Sequence, residues 1–289
     1  MDQTAVNERQ RQEWNDAMGR HWVAQQARLD RMLSGVTPAL VAAAGISAAD
    51  RVLDVGCGCG QTTRLAARRA AAGDALGVDL SQPMLEQARS LARREGVGNA
   101  RFEAADAQTH DFGEGVFDVV LSRFGVMFFD APQAAFANLC RALRGGGRLA
   151  FLCWQDMARN TYFTAPFTAL AEAVPSADLL PGPPKDGPGP FSLADPRRLT
   201  ELLTDTGFTG IAVRPVTERV CVGADVADAV AFVRAHPAAA ALFAELDEET
   251  AARAESALRS MLTPHLAPGG VLFDAAAWLV TATRPAQGA

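Results

Sequence analysis

Residues 52–60 read VLDVGCGCG: a short apolar run, one carboxylate, then glycine at every second position. An apolar run of this length bounded by glycine reads as a buried strand. Glycines at 56, 58 and 60 let the chain turn sharply and let its backbone approach a ligand. Their spacing is G-x-G-x-G, not the G-x-G-x-x-G of a dinucleotide fingerprint, and Asp54 ends the strand two places before the first glycine. A carboxylate beside a pyrophosphate is repelled by about 1 kcal/mol even in a water-like dielectric. The same carboxylate suits a ligand that carries an ammonium group. Alone, the glycine turn leaves a dinucleotide site and a plain tight turn open.

Outward from this stretch, strand and helix signals alternate. Strands are expected at 51–55, 75–79, 101–104, 117–122 and 148–154, with helices at 61–72, 83–95 and 132–143 between them. Ser81 or Gln82 should cap the second of these helices, and Gly145–Gly147 should end the third as a glycine cap. Strands separated by such helices predict parallel βαβ units with right-handed crossovers, and so an α/β fold built on an open sheet. Open sheets of this kind bind ligands at the carboxyl ends of their strands. Asp54, Asp79, Asp106 and the pair Ser122-Arg123 all fall at such ends. Asp79 can accept from both ribose hydroxyls or merely cap a helix; Asp106 can accept from an adenine amine or be a solvated loop residue. Four features in consistent order outweigh those separate bland readings.

The flanks carry further helices. One is expected at 7–33, with Trp14 and Trp22 on a single face, and another at 38–44. The stretch 175–190 is too rich in proline and glycine for a helix or a central strand and reads as a loop. A helix at 196–206, a strand at 209–222, an alanine-rich helical stretch at 227–262 broken near His236-Pro237 and a last strand at 271–282 follow. The expected division is a helical lid at 1–48, the cofactor-binding core at 49–155, a loop and cap insertion at 156–195, and completion of the sheet at 196–289 with a helical insertion at 225–265.

Bulk properties narrow the function classes. The formal charge is -6 and Lys185 is the single lysine, so nucleic acid is not an expected partner. The first residues lack the apolar core of a signal peptide, and no window approaches the roughly 20 apolar residues of a membrane span. Five scattered cysteines do not form a disulfide framework, which suits a reducing cytoplasm. Cys57 and Cys59 lack zinc-site spacing and a second ligand pair, so no metal is expected. A monomer or homodimer fits.

The series VLDVGCGCG, GVDLS, ADAQTHDF, FDVVLSRFGVMFF and LRGGGRLAFLCW resembles the motif series of class I S-adenosylmethionine-dependent methyltransferases. It looks most like the ubiquinone/menaquinone-biosynthesis-like branch of bacterial small-molecule methyltransferases. The clear likeness covers about residues 50–155, with a looser one at Trp14, Trp22 and Gln26 and at 189–208. The resemblance implies a Rossmann-like seven-stranded sheet, mostly parallel with its last strand antiparallel, flanked by helices. It implies S-adenosyl-L-methionine as cofactor and S-adenosyl-L-homocysteine as product. Asp54, Gly56, Cys57 and Gly58 would lie near the methionine part, Asp79 on the ribose, Leu80 and Met84 against the nucleoside, Asp106 and Ala107 around adenine, and Ser122 near the methionine end.

The expected reaction is methyl transfer to the O, N or C atom of a small apolar or aromatic metabolite. Orientation and desolvation supply most of the rate there, and a general base is needed only where the acceptor must lose a proton. His21 and Tyr162 are the first candidates for that task, ahead of His110, His236 and His265. Trp14 and Trp22 pack in the core or wall the sulfonium by cation–π attraction, on the order of 1 kcal/mol. Phe124, Met127, Phe128 and Phe129 line an apolar acceptor pocket or pack the loop. The alternatives are a protein or RNA acceptor, against which Ser-Arg-Phe-Gly stands where an Asn-Pro-Pro-Tyr-like motif would, and a non-catalytic cofactor-binding sensor or partner protein.

Overall fold

The computed structural model describes residues 7–175 and 187–286. Most of the expected loop at 175–190, Lys185 included, lies outside the described residues. Four short helices open the described chain: α1 (Glu8–Asn15), α2 (Ala17–Ala24), α3 (Gln26–Met32) and α4 (Thr37–Ala44). Strands and helices then alternate as β1 (Arg51–Val55), α5 (Gln61–Arg69), β2 (Asp74–Asp79), α6 (Gln82–Arg94), β3 (Ala100–Ala104), β4 (Phe117–Arg123), α7 (Pro132–Ala142) and β5 (Leu143–Trp154). After these come α8 (Ala165–Ala173), α9 (Pro196–Asp205), β6 (Thr209–Gly223), α10 (Val226–Ala235), α11 (Pro237–Glu245), α12 (Glu248–Leu262), β7 (Leu266–Ala267) and β8 (Gly270–Thr283).

The sheet runs β3-β2-β1-β4-β5-β8-β6, with the two-residue β7 paired to β8 outside this path. The first five strands are parallel, and β8 inserts antiparallel between β5 and β6. Strand order reverses between β1 and β4, which opens the crevice where such sheets hold ligands. β1 is apolar because it lies mid-sheet, with Val52, Leu53 and Val55 all buried. α6 buries Met84, Leu85, Ala88, Leu91 and Ala92 on one stripe, and the Ser81 hydroxyl caps it by accepting from the Met84 N–H.

Three expectations are corrected. The stretch 7–33 is not one helix: it breaks at Asp16 and again at Gln25. The chain folds back there so tightly that a Cβ on Gly19 would lie 1.9 Å from the Trp14 carbonyl oxygen and 2.8 Å from Ser81 Oγ. Trp14 and Trp22 therefore sit on two helices, edge to face at 6.0 Å, not along one face. Gly145–Gly147 do not cap a helix either. α7 ends at Ala142, Leu143 is already extended (φ -70°, ψ 143°), and the glycines lie inside β5, where a Cβ on Gly147 would come within 2.8 Å of the Arg144 carbonyl oxygen.

The helical stretch after β6 breaks at His236, which is extended because Pro237 follows it. Among the described residues no single helix is long and apolar enough to cross a membrane; α10 and α11 pass that test only as a pair bent by 89°.

Candidate active site

The turn after β1 is built from three left-handed glycines, Gly56 (φ 65°), Gly58 (φ 55°) and Gly60 (φ 77°). Gly56 faces Gly125, which follows β4: a Cβ on Gly56 would lie 2.6 Å from Gly125 Cα, and one on Gly125 would lie 2.6 Å from the Val55 carbonyl oxygen. The two loops touch because neither residue has a side chain. The Ser122 hydroxyl fastens them further, donating to the Val55 carbonyl at 2.7 Å and accepting from the Gly125 N–H at 3.2 Å. Gly58 is different. A Cβ there would meet only Met84 Sδ, at 3.9 Å, so open space lies in front of it.

Asp54 is wholly buried at the end of β1. Its Oδ2 accepts from Thr62 Oγ1 at 2.7 Å and Thr63 Oγ1 at 2.6 Å, while its Oδ1 has no partner. Burial pushes this carboxyl up to about 6, against the pull of the two threonine hydroxyls and the Arg123 charge. A buried carboxylate oxygen without a donor is costly, and none of the described residues supplies one to Asp54 Oδ1.

Asp79, at the end of β2, holds the glycine turn: its Oδ2 accepts from the Gly58 N–H at 2.8 Å and its Oδ1 from the Ser81 N–H at 2.9 Å. Burial raises its pKa, opposed by these N–H groups. Each oxygen keeps a second lone pair for a further donor. Asp106, past β3, accepts from the Gln108 N–H at 2.9 Å and from the Asn7 amide. The Ala107 carbonyl accepts from Asn138 Nδ2 at 2.9 Å. Asn15 of α1 brackets the β2–α6 loop, donating to the Leu80 carbonyl at 2.8 Å and accepting from the Gln82 N–H at 2.9 Å. Met84, Cys59 and Leu91 pack against Trp14, Trp22 and Val23, so α1 and α2 lie across the strand ends as a strap. Trp14 also meets Phe128 edge to face at 5.3 Å.

The thiols of Cys57 and Cys59 are buried, and burial pushes both up, Cys59 to about 12. Among the described residues no three His, Cys, Asp or Glu side chains converge as metal ligands would.

The sequence puts Ser122 and Arg123 together at this edge but suggests a ligand role for Ser122 alone; the surroundings of Arg123 are the more telling. Its buried guanidinium donates to Thr37 Oγ1 at 2.8 Å and to Gln61 Oε1, and lies 3.3 Å from Asp30 Oδ1. The one available signal was an arginine directly after an apolar strand, at the edge where ligands bind.

Beyond β4 and β5 the surroundings are aromatic. Phe124 adopts a left-handed conformation (φ 64°), uncommon for a residue with a side chain, and its ring stacks on Trp154 at 3.7 Å. Trp154 meets Tyr162 at 6.0 Å and Phe163 at 5.6 Å, and Phe163 meets Phe191 at 5.3 Å. Burial pushes the Tyr162 phenol well above its ordinary value. Met127 is core, its sulfur 3.3 Å from the Trp154 nitrogen, and Phe129 packs on Phe136 at 5.9 Å.

The histidines go elsewhere. His21 lies at the α10–α11 junction, 5.7 Å from the His236 ring and 6.3 Å from Phe232. His110 Nε2 lies 3.6 Å from Glu103, and His265 stacks on Phe273 at 3.8 Å. Two open surface hollows, about 570 Å³ beside Arg93 and Phe102 and about 280 Å³ beside Arg148 and Arg214, are lined by none of Asp54, Asp79 or Asp106.

Residues 52–147 match the family model described as a methyltransferase domain. An uncharacterized protein of Mycobacterium tuberculosis is 35% identical over 125 residues, which cover 43% of this chain and 44% of that one. Aklanonic acid methyltransferase DauC of a Streptomyces species is 36% identical over 103 residues, covering 35% of this chain and 47% of the relative. The chain thus spans under half the length of either curated relative it matches. In the solved structures, phosphoethanolamine N-methyltransferase 2 of Haemonchus contortus, in complex with S-adenosylhomocysteine, superposes with a TM-score of 0.57 at 18% identity, over 94% of this chain and 60% of that one. The core of the chain is thus a Rossmann-like α/β sheet, within which residues 52–147 are similar to a methyltransferase domain.

Proposed function

We propose that this chain is an S-adenosylmethionine-dependent methyltransferase acting on a small apolar or aromatic acceptor. One observation carries the reading: Asp54, wholly buried beside a left-handed glycine turn, keeps one carboxylate oxygen without a donor. That oxygen suits an ammonium group, and in the adjoining turn a Cβ on Gly58 would meet nothing nearer than Met84 Sδ at 3.9 Å. The donor set fits an adenosyl amino acid along the successive strand ends. Asp54 takes the ammonium, Asp79 the ribose hydroxyls through its spare lone pairs, and Asp106 the adenine amine, with Ala107 beside the ring.

Bound S-adenosylmethionine supplies a methyl group already activated by its sulfonium charge. The protein's task is then orientation and exclusion of water. Gly56 and Gly58 let the backbone come close, while Ser122, held between Val55 and Gly125, keeps that backbone rigid. Leu80, Met84 and the Cys57–Cys59 turn give the nucleoside and methionine parts their walls. The N-terminal helices serve as a lid, with Trp22 and Trp14 as its apolar underside. Tyr162 and Phe163, half-buried against the buried Phe124–Trp154 stack, offer aromatic surface to an acceptor. With its phenol held neutral, Tyr162 orients an acceptor by donating a hydrogen bond and does not act as a base. His21, turned toward the cap, has a weaker claim to catalysis than Tyr162.

A small acceptor is supported by the relative named for aklanonic acid, and the chain's acidic balance disfavours nucleic acid. The motif run supports placement near the quinone-biosynthesis-like branch. Calorimetry with S-adenosylhomocysteine tests the site, and labelled S-adenosylmethionine with a metabolite extract tests the acceptor. Binding followed by a labelled small molecule is expected. No binding overturns the reading, and label found only in protein or RNA overturns the acceptor class.

A further inference from the structure

Arg123 occupies a point where positive potential accumulates. Its guanidinium joins the first residue of α4, Thr37, to the first residue of α5, Gln61. Helix N-termini carry partial positive charge, and a cation set at two of them needs an anion. In this structure that anion is Asp30 of α3, 3.3 Å from Nη2, with side-chain exposures of 10% for Arg123 and 16% for Asp30. Little water reaches the pair, so an Arg123 left without an anion would be expensive.

Asp54 stands nearby on the neighbouring strand. It is in register with Leu121, two residues before Arg123, and the Arg123 charge favours its ionised form. Its Oδ1 lacks a donor. An anion waiting for a cation and a cation held by an exchangeable anion thus sit together at the switch point of the sheet. Their charges complement the ammonium and carboxylate of an α-amino acid.

We propose that Arg123 binds the carboxylate of the cofactor's amino acid moiety and that Asp30 is the resident counterion this carboxylate replaces. The proposal rests on the methyltransferase reading. The exchange is close to balanced, since one carboxylate succeeds another on the same guanidinium. Asp30 belongs to α3, so loading the amino acid end removes the ion pair between α3 and β4, while Met32 and Arg28 still hold the helix. Gln26 of the same helix already holds Asp30 Oδ2 and keeps that carboxylate bonded after release.

The test compares two ligands by calorimetry on the full chain: S-adenosylhomocysteine, and 5′-deoxy-5′-methylthioadenosine, which keeps the nucleoside and thioether but lacks the amino acid. Arg123→Gln should weaken S-adenosylhomocysteine by about tenfold or more, the size of a lost charge-assisted contact, and leave methylthioadenosine unchanged. Unchanged methylthioadenosine binding also shows that the variant folds. Asp30→Asn should tighten S-adenosylhomocysteine several-fold, again without touching methylthioadenosine. Equal weakening of both ligands in Arg123→Gln, unchanged binding in both variants, or weaker S-adenosylhomocysteine binding in Asp30→Asn would overturn the proposal. A wild-type chain that binds neither ligand fails the methyltransferase reading itself, a distinct result.

Discussion

The Asn7 side-chain amide donates to both carboxylate oxygens of Asp106, at 3.3 Å from each. The contact is made at a cost: Asn7 is left-handed (φ 69°), and its own buried Oδ1 has no partner among the described residues. On the proposed reading Asp106 serves an adenine amine, so the Asn7 amide presents the same N–H donor to the same acceptor. Asn7→Ala should therefore tighten S-adenosylhomocysteine binding by about fivefold, the order of one net hydrogen bond. Weaker binding in this variant would show that Asn7 helps hold the ligand and does not compete with it.

Asp54 couples binding to pH. Its carboxyl rises from 3.8 to about 6 in the folded chain, burial being the main cause. Between those values the native state keeps a proton that the unfolded chain has lost, so stability falls as pH rises through the window. The full loss, roughly 3 kcal/mol, is present above pH about 6 and vanishes below about 4. Asp54→Asn should be more stable than wild type at pH 7 and equal to it near pH 4, as denaturant titration would show. The same variant should lose cofactor affinity. In the wild type, affinity should drop as pH falls below about 6, because an ammonium ligand needs the ionised carboxylate. Parallel stability curves for the two proteins would refute the assignment.

The glycine turn separates packing from binding. Gly56→Ala and Gly125→Ala both drive a Cβ to within 2.6 Å of backbone, so each should cost several kcal/mol or prevent folding. Gly58→Ala adds a Cβ with only Met84 Sδ near it, at 3.9 Å, and should cost about 1 kcal/mol of left-handed strain. Yet its methyl enters the space in front of the turn. Near-normal melting with abolished S-adenosylhomocysteine binding is expected. Normal binding in Gly58→Ala would move the ligand elsewhere.

The central strands were legible because β1, β4 and β5 lie mid-sheet and are apolar, and because polar residues such as Asp54, Asp79 and Ser122 fall at the strand ends where ligands bind. Asp54 could be singled out from residue type alone; its unpaired oxygen could not, since that depends on where Thr62 and Thr63 fall one turn into α5. Arg123 could be placed at the strand end but given no role, because its meaning comes from Asp30 and Thr37, roughly ninety residues away in sequence, and no local pattern encodes such a pairing. The N-terminal break was missed for a related reason. Helical periodicity continues through Asp16, and the fold-back at Gly19 is set by packing on Ser81. Gly125 carries no local signal of its role either, which comes from Gly56 packed against it.

The strap has a second attachment at the far side of the site, and this one answers to acid. His236 caps α11, its Nδ1 accepting from the Ala238 N–H at 3.3 Å, which requires that nitrogen to be unprotonated. Burial lowers its pKa to about 4, helped by the His21 ring, and burial lowers His21 as well. Above pH 6.5 both rings are neutral in folded and unfolded chain alike, and the contribution is complete. As pH falls toward 4 the unfolded chain takes up protons that the native state refuses, so stability is lost. This slope runs opposite to that of Asp54 over much the same range, and only a difference between variants isolates it. His236→Asn keeps an acceptor for the Ala238 N–H and removes the titration. Its melting temperature should fall less than that of the wild type between pH 7 and pH 5. Corrected for the intrinsic pH dependence of amide exchange, hydrogen exchange along α2 should accelerate in the wild type over the same interval and accelerate less in the variant, which keeps only His21. Coincident melting profiles, or equal acceleration of α2 in both proteins, would detach the histidine pair from the strap.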